Sequence, residues 1–201
     1  MHQSKPHKAP TGTSNKSSGV VRIIGGEMRG RKLRFNASEG LRPTLDRVRE
    51  TVFNWLARDL PGRNCLDLFA GSGAMGFEAL SRGAAQVYLV EKSAKVVRDL
   101  KHNCELLAAK NVRVVNLESA VFLKSNEQKF DVVFLDPPFG KGLLKETLDA
   151  LIDHINDDAL IYIEQEKSAQ EFIPDDKWLQ LKYKKTGSFS YALYTRNLSA
   201  D

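Results

Sequence analysis

Acid is scarce at the start of this chain. Of the first 49 residues only Glu27, Glu39 and Asp46 are acidic, against eleven lysines and arginines. That stretch carries +8, while the 201-residue whole carries +5 and the remainder −3. A one-sided positive field is the footprint of a phosphate-backbone partner, or else a plain solvated surface. Cysteine is equally sparse: Cys65 falls in a strand-like run and Cys104 in a helical one, which gives neither a disulfide framework nor zinc spacing. The histidines are scattered, His2 and His7 in a polar tail and His102 and His154 on separate helical segments, so no metal is expected. No apolar run approaches the roughly 20 residues that cross a bilayer, and the opening Met1-His2-Gln3-Ser4-Lys5-Pro6 lacks the apolar stretch of a signal peptide. A soluble, cytoplasmic, monomeric protein without membrane partners is expected.

With 42% hydrophobic and 27% charged residues, the chain can bury one sizeable core and carry an appendage, whereas two full domains would be cramped. Residues 1–19, rich in Ser, Lys, Pro, Thr and Gly, are expected to be a disordered basic tail. Residues 20–62 read as an extension. In it, Val21 to Ile24 and Arg31 to Phe35 flank Gly25-Gly26-Glu27-Met28-Arg29-Gly30 as a β-hairpin with basic residues among apolar ones. A helix follows Pro43, with Thr44 as N-cap and Leu45, Val48, Val52, Trp55 and Leu56 on one face, and should end near Pro61-Gly62. From 63 to 201 the pattern alternates. Strands are expected at 65–69, 87–90, 112–115, 130–135 and 160–164, and helices near 74–82, 93–108, 119–125 and 143–155. A closing hairpin spans 178–186 and 189–195. Such alternation specifies an α/β fold, a mostly parallel sheet with helices on both faces, completed by an antiparallel hairpin.

Two stretches carry chemistry. In the first strand-to-helix loop, Gly71, Gly73 and Gly76 satisfy G-x-G-x-x-G, and Glu91 ends the second strand where an acid can hold ribose hydroxyls. The pattern points to an adenosine-containing cofactor. A nicotinamide dinucleotide would set its pyrophosphate on the helix N-terminus, where Asp67 is an awkward neighbour. S-adenosyl-L-methionine has no phosphate, and its ammonium suits Asp67. The small residues Ala70, Gly71 and Gly73 would let the backbone approach its methionine part closely, and Ser72 and Lys92 are further candidate cofactor contacts. Of Asn116-Leu117-Glu118-Ser119, Glu118 and Ser119 are favoured against the adenine. The second stretch is Asp136-Pro137-Pro138-Phe139, which ends the apolar run 130–135. Prolines cannot continue a ladder, so Asp136 and the Pro137 carbonyl are left at the strand's C-terminal edge, where parallel sheets bind ligands. Two acceptors and an aromatic face suit the exocyclic amine of a planar base, although turn chemistry alone also favours Asp and Pro.

Asp67, Gly71, Gly73, Glu91 and Asp136-Pro137-Pro138-Phe139 together resemble the seven-stranded class I methyltransferases, amino-methylating branch. Arg22-Ile23-Ile24-Gly25-Gly26, Arg29-Gly30-Arg31-Lys32-Leu33, Leu41-Arg42-Pro43-Thr44 and Asp46-Arg47-Val48-Arg49-Glu50-Thr51 narrow the resemblance to the bacterial 16S ribosomal RNA guanine-N2 methyltransferase D family, from about Val21 to the final hairpin. It implies methyl transfer from S-adenosylmethionine to a guanine of 16S rRNA in the small ribosomal subunit. Asp136, Pro137, Pro138 and Phe139 are the expected catalytic residues, with Asp136 also a cofactor contact facing the transferable methyl, and Arg22, Arg29, Arg31, Lys32, Arg34, Arg42 and Arg47 are the expected RNA contacts. An adenine-N6 or glutamine-amide methyltransferase would use the same tetrapeptide. A nicotinamide oxidoreductase and a non-catalytic RNA-binding module are the rivals of other classes.

Overall fold

A computed structural model describes residues 18–36, 46–138, 142–166 and 174–200. All but the last two residues of the expected tail, together with Arg42, Thr44, Leu45 and Phe139, lie outside them.

The parallel strands are β3 (Asn64–Asp67), β4 (Gln86–Val90), β5 (Val112–Val115), β6 (Phe130–Leu135) and β7 (Ile155–Glu166), numbered after the N-terminal pair β1 (Ser18–Arg22) and β2 (Lys32–Asn36). Strands β8 (Trp178–Lys185) and β9 (Phe189–Arg196) close a seven-stranded sheet in the order β5-β4-β3-β6-β7-β9-β8, with β9 antiparallel to both neighbours. The central strands are nearly continuous apolar runs, as strands covered on both faces must be. Alternate residues serve the two faces. Cys65, Val87, Leu89, Val132, Phe134 and Tyr162 pack beneath α1 (Asp46–Trp55), α2 (Ala74–Ser81) and α3 (Ala94–Leu107). Leu66, Leu68, Val133, Leu135 and Ile163 pack beneath α4 (Ser119–Ser125) and α5 (Leu143–Leu151).

The hairpin β1–β2 shares the first of these cores through Val21, Ile23, Leu33 and Phe35. It is also tied to α2 and α3 by hydrogen bonds. Glu78, fully buried on α2, accepts the N–H groups of Ile24 (2.7 Å) and Gly25 (2.8 Å) and the Arg82 Nε (2.7 Å). The fully buried Arg49 guanidinium lies 3.8 Å from the same carboxylate, and its Nη2 donates to the Arg22 carbonyl and to Asp46. Asn103 on α3 exchanges two bonds with the Arg34 backbone, and Asp99 accepts from Asn36.

Several boundaries differ from expectation. The β1 strand runs from Ser18 to Arg22 instead of Val21 to Ile24, because the Ile24 N–H is taken by Glu78 and not by a strand partner. Helix α1 ends at Trp55 instead of near Pro61; the chain closes through bonds from Asp59 and Leu60 to the Leu56 carbonyl. Leu60 precedes Pro61, a position that disfavours further helix. The helix expected over 143–155 is α5 followed by a 3₁₀ turn at Ile152–His154, and β7 begins five residues early, at Ile155. Arg49 does not extend the basic surface, being sealed in the ion pair with Glu78. Among the described residues no helix is long and apolar enough to cross a membrane.

Candidate functional site

Register assembles the site. Asp67 stands opposite Phe134, and Leu135 opposite Ile163, so Asp136, one residue past β6, falls beside Glu164 of β7. Asp67, Asp136 and Glu164 share the parity of Cys65, Phe134 and Tyr162, and therefore open on the α1–α2–α3 side of the sheet at its C-terminal edge.

Asp67 is buried, and its Oδ2 accepts the Gly76 N–H (3.1 Å) in the first turn of α2. Burial, reinforced by Glu91, pushes its carboxyl up to about 7 even though N–H groups of Gly76 and Phe69 favour the anion. Asp136 is half-buried, and its carboxyl is held well above the ordinary range, first by burial and then by Glu164 and Asp67. Glu164 is buried and accepts the Tyr162 hydroxyl (2.8 Å). That hydroxyl is itself pushed far up by burial and the two acids, which keeps it a donor. Among the described residues no lysine or arginine forms an ion pair with Asp67 or Asp136. Clustered carboxyls of this kind favour a cationic ligand, since a positive charge relieves both their desolvation and their repulsion.

The glycine loop is shaped by backbone. Gly71 (φ 48°) and Gly73 (φ 76°) are left-handed, and Gly73 is the N-cap of α2. Gly76 lies against the sheet: a Cβ there would meet Leu89 Cδ2 at 2.2 Å, with Val87 Cγ1 at 3.1 Å. Its place is helix packing. Glu91 ties the loop to β4, because its Oε2 accepts the Gly71 N–H (3.2 Å) and its Oε1 the Ser93 N–H (2.8 Å). Ala70 and Ser72 are buried in the loop, and Lys92 is exposed past the end of β4. Asn116 Nδ2 spans the carbonyls of Glu91 and Lys92 (2.9 and 3.0 Å), while Glu118 is the exposed N-cap residue of α4 and Ser119 its first residue. Pro137 is buried and Pro138 exposed.

Of the expected RNA-binding residues, Arg22, Lys32 and Arg34 lie on the outer face of the β1–β2 hairpin, opposite the buried Val21, Leu33 and Phe35. Arg29, Arg31 and Arg47 are also exposed. Arg31 serves the fold as well: its Nη2 donates to the Leu106 carbonyl (2.5 Å) near the C-terminus of α3. Glu164 and Tyr162 were not anticipated as site residues. The available signal was Glu164 itself, an acid in the run Leu160-Ile161-Tyr162-Ile163-Glu164, but its place beside Asp136 emerges only from the strand register.

A seven-stranded sheet in this order, with a reversed β9, is the class I methyltransferase fold. Residues 21–195 match the family model described as conserved hypothetical protein 95. Ribosomal RNA small subunit methyltransferase D of Escherichia coli (strain K12) is 46% identical over 191 residues, which cover 94% of this chain and 96% of that protein. The protein of the same name from Haemophilus influenzae is 47% identical over 184 residues, covering 89% and 95% respectively. A solved structure of a putative methyltransferase from Escherichia coli matches with a TM-score of 0.81 at 46% identity, over 89% of this chain and 99% of that one. The chain belongs to the ribosomal RNA small subunit methyltransferase D family.

Proposed function

We propose that this protein methylates N2 of a specific guanine in the 16S rRNA of the small ribosomal subunit, using S-adenosylmethionine, in the cytoplasm. The observation that carries the reading is the gathering of Asp67, Asp136 and Glu164 at the edge where the glycine loop and Asp136-Pro137-Pro138 meet. A ligand with a sulfonium and an ammonium fits that acid cluster better than one with a pyrophosphate. Asp67 and the loop 70–73 would hold its methionine part, and Glu91 its ribose. When bound, it supplies a methyl group on positively charged sulfur, open to in-line displacement by a nitrogen lone pair.

The chain's own residues do the rest. The target base must leave its stack, which is cheaper from a hairpin loop than from a duplex. Asp136 and the Pro137 carbonyl accept the N2 hydrogens and hold the amine so that its lone pair points away from them. Positive charge developing on that nitrogen faces a carboxylate already fixed in place, so orientation and electrostatics provide the acceleration. Asp136, whose proton affinity burial has raised, can hold the departing proton before it passes to water. Phe139, outside the described residues, is assigned to stack on the base. The exposed arginines and lysine of the β1–β2 hairpin, with Arg42 and Arg47, would grip RNA phosphates.

The test is Asp136→Ala. Methyl transfer from labelled S-adenosylmethionine should be lost, with cofactor affinity changed by less than about tenfold, or ~1.4 kcal/mol. Turnover at the parental rate would sink the assignment.

A further inference from the structure

One charged element is left over from the proposed function. Residues 177–196 contain Lys177, Lys182, Lys184, Lys185 and Arg196 and no acid, in a part of the chain that is otherwise net acidic. Three of those lysines lie on the edge strand β8, whose residues after Trp178 are all exposed. Register decides where they point. Lys182 pairs with Leu193 and Lys184 with Tyr191, and both partners belong to the core on the α1–α2–α3 side. Lys185 pairs with Ser190, in the parity of Ala192, which packs in the opposite core; its ammonium lies over the Tyr183 ring on that side, 5.5 Å from the centroid.

The row through Lys184 leads into the site. Lys184 pairs with Tyr191, Tyr191 with Glu164, and Glu164 falls beside Asp136. Three strand spacings put Lys184 roughly 15 Å from Asp136 along one edge of one face. Between them Tyr191 is covered by Trp55 of α1, stacked at 5.6 Å. The β1–β2 hairpin packs on the same side of the sheet.

We propose that Lys182 and Lys184 form a second phosphate-binding strip, which holds the RNA backbone beside the extruded base while the N-terminal hairpin holds another part of the same RNA. The inference rests on the reading of the substrate as RNA and adds a contact to it. Lysines on an edge strand also deter pairing with another sheet, but that role needs no preference for one face. Charge complementarity and a shared row with Asp136 favour the RNA backbone over an acidic protein as the occupant.

The test compares two full-length variants that lose the same charge. Lys182→Ala/Lys184→Ala removes the strip; Lys177→Ala/Lys185→Ala removes one lysine at the far end of β8 and one on its other face. All four side chains are exposed, so both variants should fold as the parent does. With protein-free small-subunit RNA, the first variant should raise KM about tenfold and flatten the plot of log affinity against log salt by about 1.4, two contacts at ~0.7 each for single strands. Its kcat and its affinity for S-adenosylmethionine should not change. The second variant should stay within about twofold of the parent. Equal effects from both variants would show only general charge attraction and overturn the proposal, as would a first variant that behaves like the parent. A defect confined to assembled subunits and absent with free RNA would mean a protein partner and would overturn it too. If the parent itself binds this RNA without salt dependence, the RNA reading fails, and this inference with it.

Discussion

Replacing Glu78 by alanine should break the joint between the N-terminal hairpin and the sheet. The carboxylate is fully buried and serves the N–H groups of Ile24 and Gly25, the Arg82 side chain and the buried Arg49 guanidinium. Without it, Arg49 keeps the Arg22 carbonyl and Asp46, whose side chain is 74% exposed. Stranding one member of a buried ion pair costs about 3–5 kcal/mol, and an orphaned buried N–H about 1–3 kcal/mol. These costs overlap, because water entering the gap would serve several groups at once, so the net loss should be about 4–6 kcal/mol. At about 2–4 °C per kcal/mol for a chain of this size, Tm should fall by roughly 10–20 °C. Urea unfolding followed by circular dichroism measures the loss directly. The double variant Arg49→Met/Glu78→Leu should regain the part that comes from the stranded Arg49, since a buried pair replaced by apolar groups of similar size is often tolerated, but not the part from the Ile24 and Gly25 N–H groups. A loss below about 1 kcal/mol, or a double variant as poor as the sum of its singles, would refute the view that this pair anchors the hairpin.

Gly76→Ala should destabilise by about 1–3 kcal/mol, because the new methyl meets Leu89 at 2.2 Å and α2 must shift from the sheet; S-adenosylmethionine affinity, measured by calorimetry, should fall with it, and a stable variant with parental affinity would contradict the packing role. Asp67 gives a pH signature. Its folded-state value of about 7 is above the usual carboxylate range, so the folded protein binds the extra proton between about pH 4 and 7, and stability without ligand should decline as pH rises through that window and level off above it. A cationic ligand prefers the ionised form, so S-adenosylmethionine should bind more tightly from pH 5 to 7, by up to about tenfold per pH unit. A flat profile in the parent, or an unchanged slope in Asp67→Asn, would remove Asp67 from the cofactor's charge balance.

Much of this was legible in the sequence, for physical reasons that differ by element. The run Phe130 to Leu135 is bounded by Asp136-Pro137-Pro138, and Val112 to Val115 is a β-branched stretch broken only by Arg113; both strands match the expected bounds to the residue. Where a boundary depends on a distant partner it was misplaced, as at Ile24, whose N–H belongs to Glu78, 54 positions away. Arg49 shows the same limit. Its charge counted toward the basic stretch, yet it sits one turn before Phe53 on the buried side of α1, and only the fold reveals Glu78 against it. In the candidate site, Asp67, Gly71, Gly73, Glu91 and Asp136 follow from local motif and spacing. Glu164 and the β8 lysines do not, because their relation to Asp136 runs across strands, through a register that no local pattern encodes.

The most direct measurement supplies the purified protein and labelled S-adenosylmethionine to small subunits and to their protein-free RNA, then digests the RNA and identifies the labelled nucleoside. The account predicts N2-methylguanosine at one position of 16S rRNA, absent with Asp136→Ala. Label in N6-methyladenosine, label in protein, or no transfer to either substrate would contradict it.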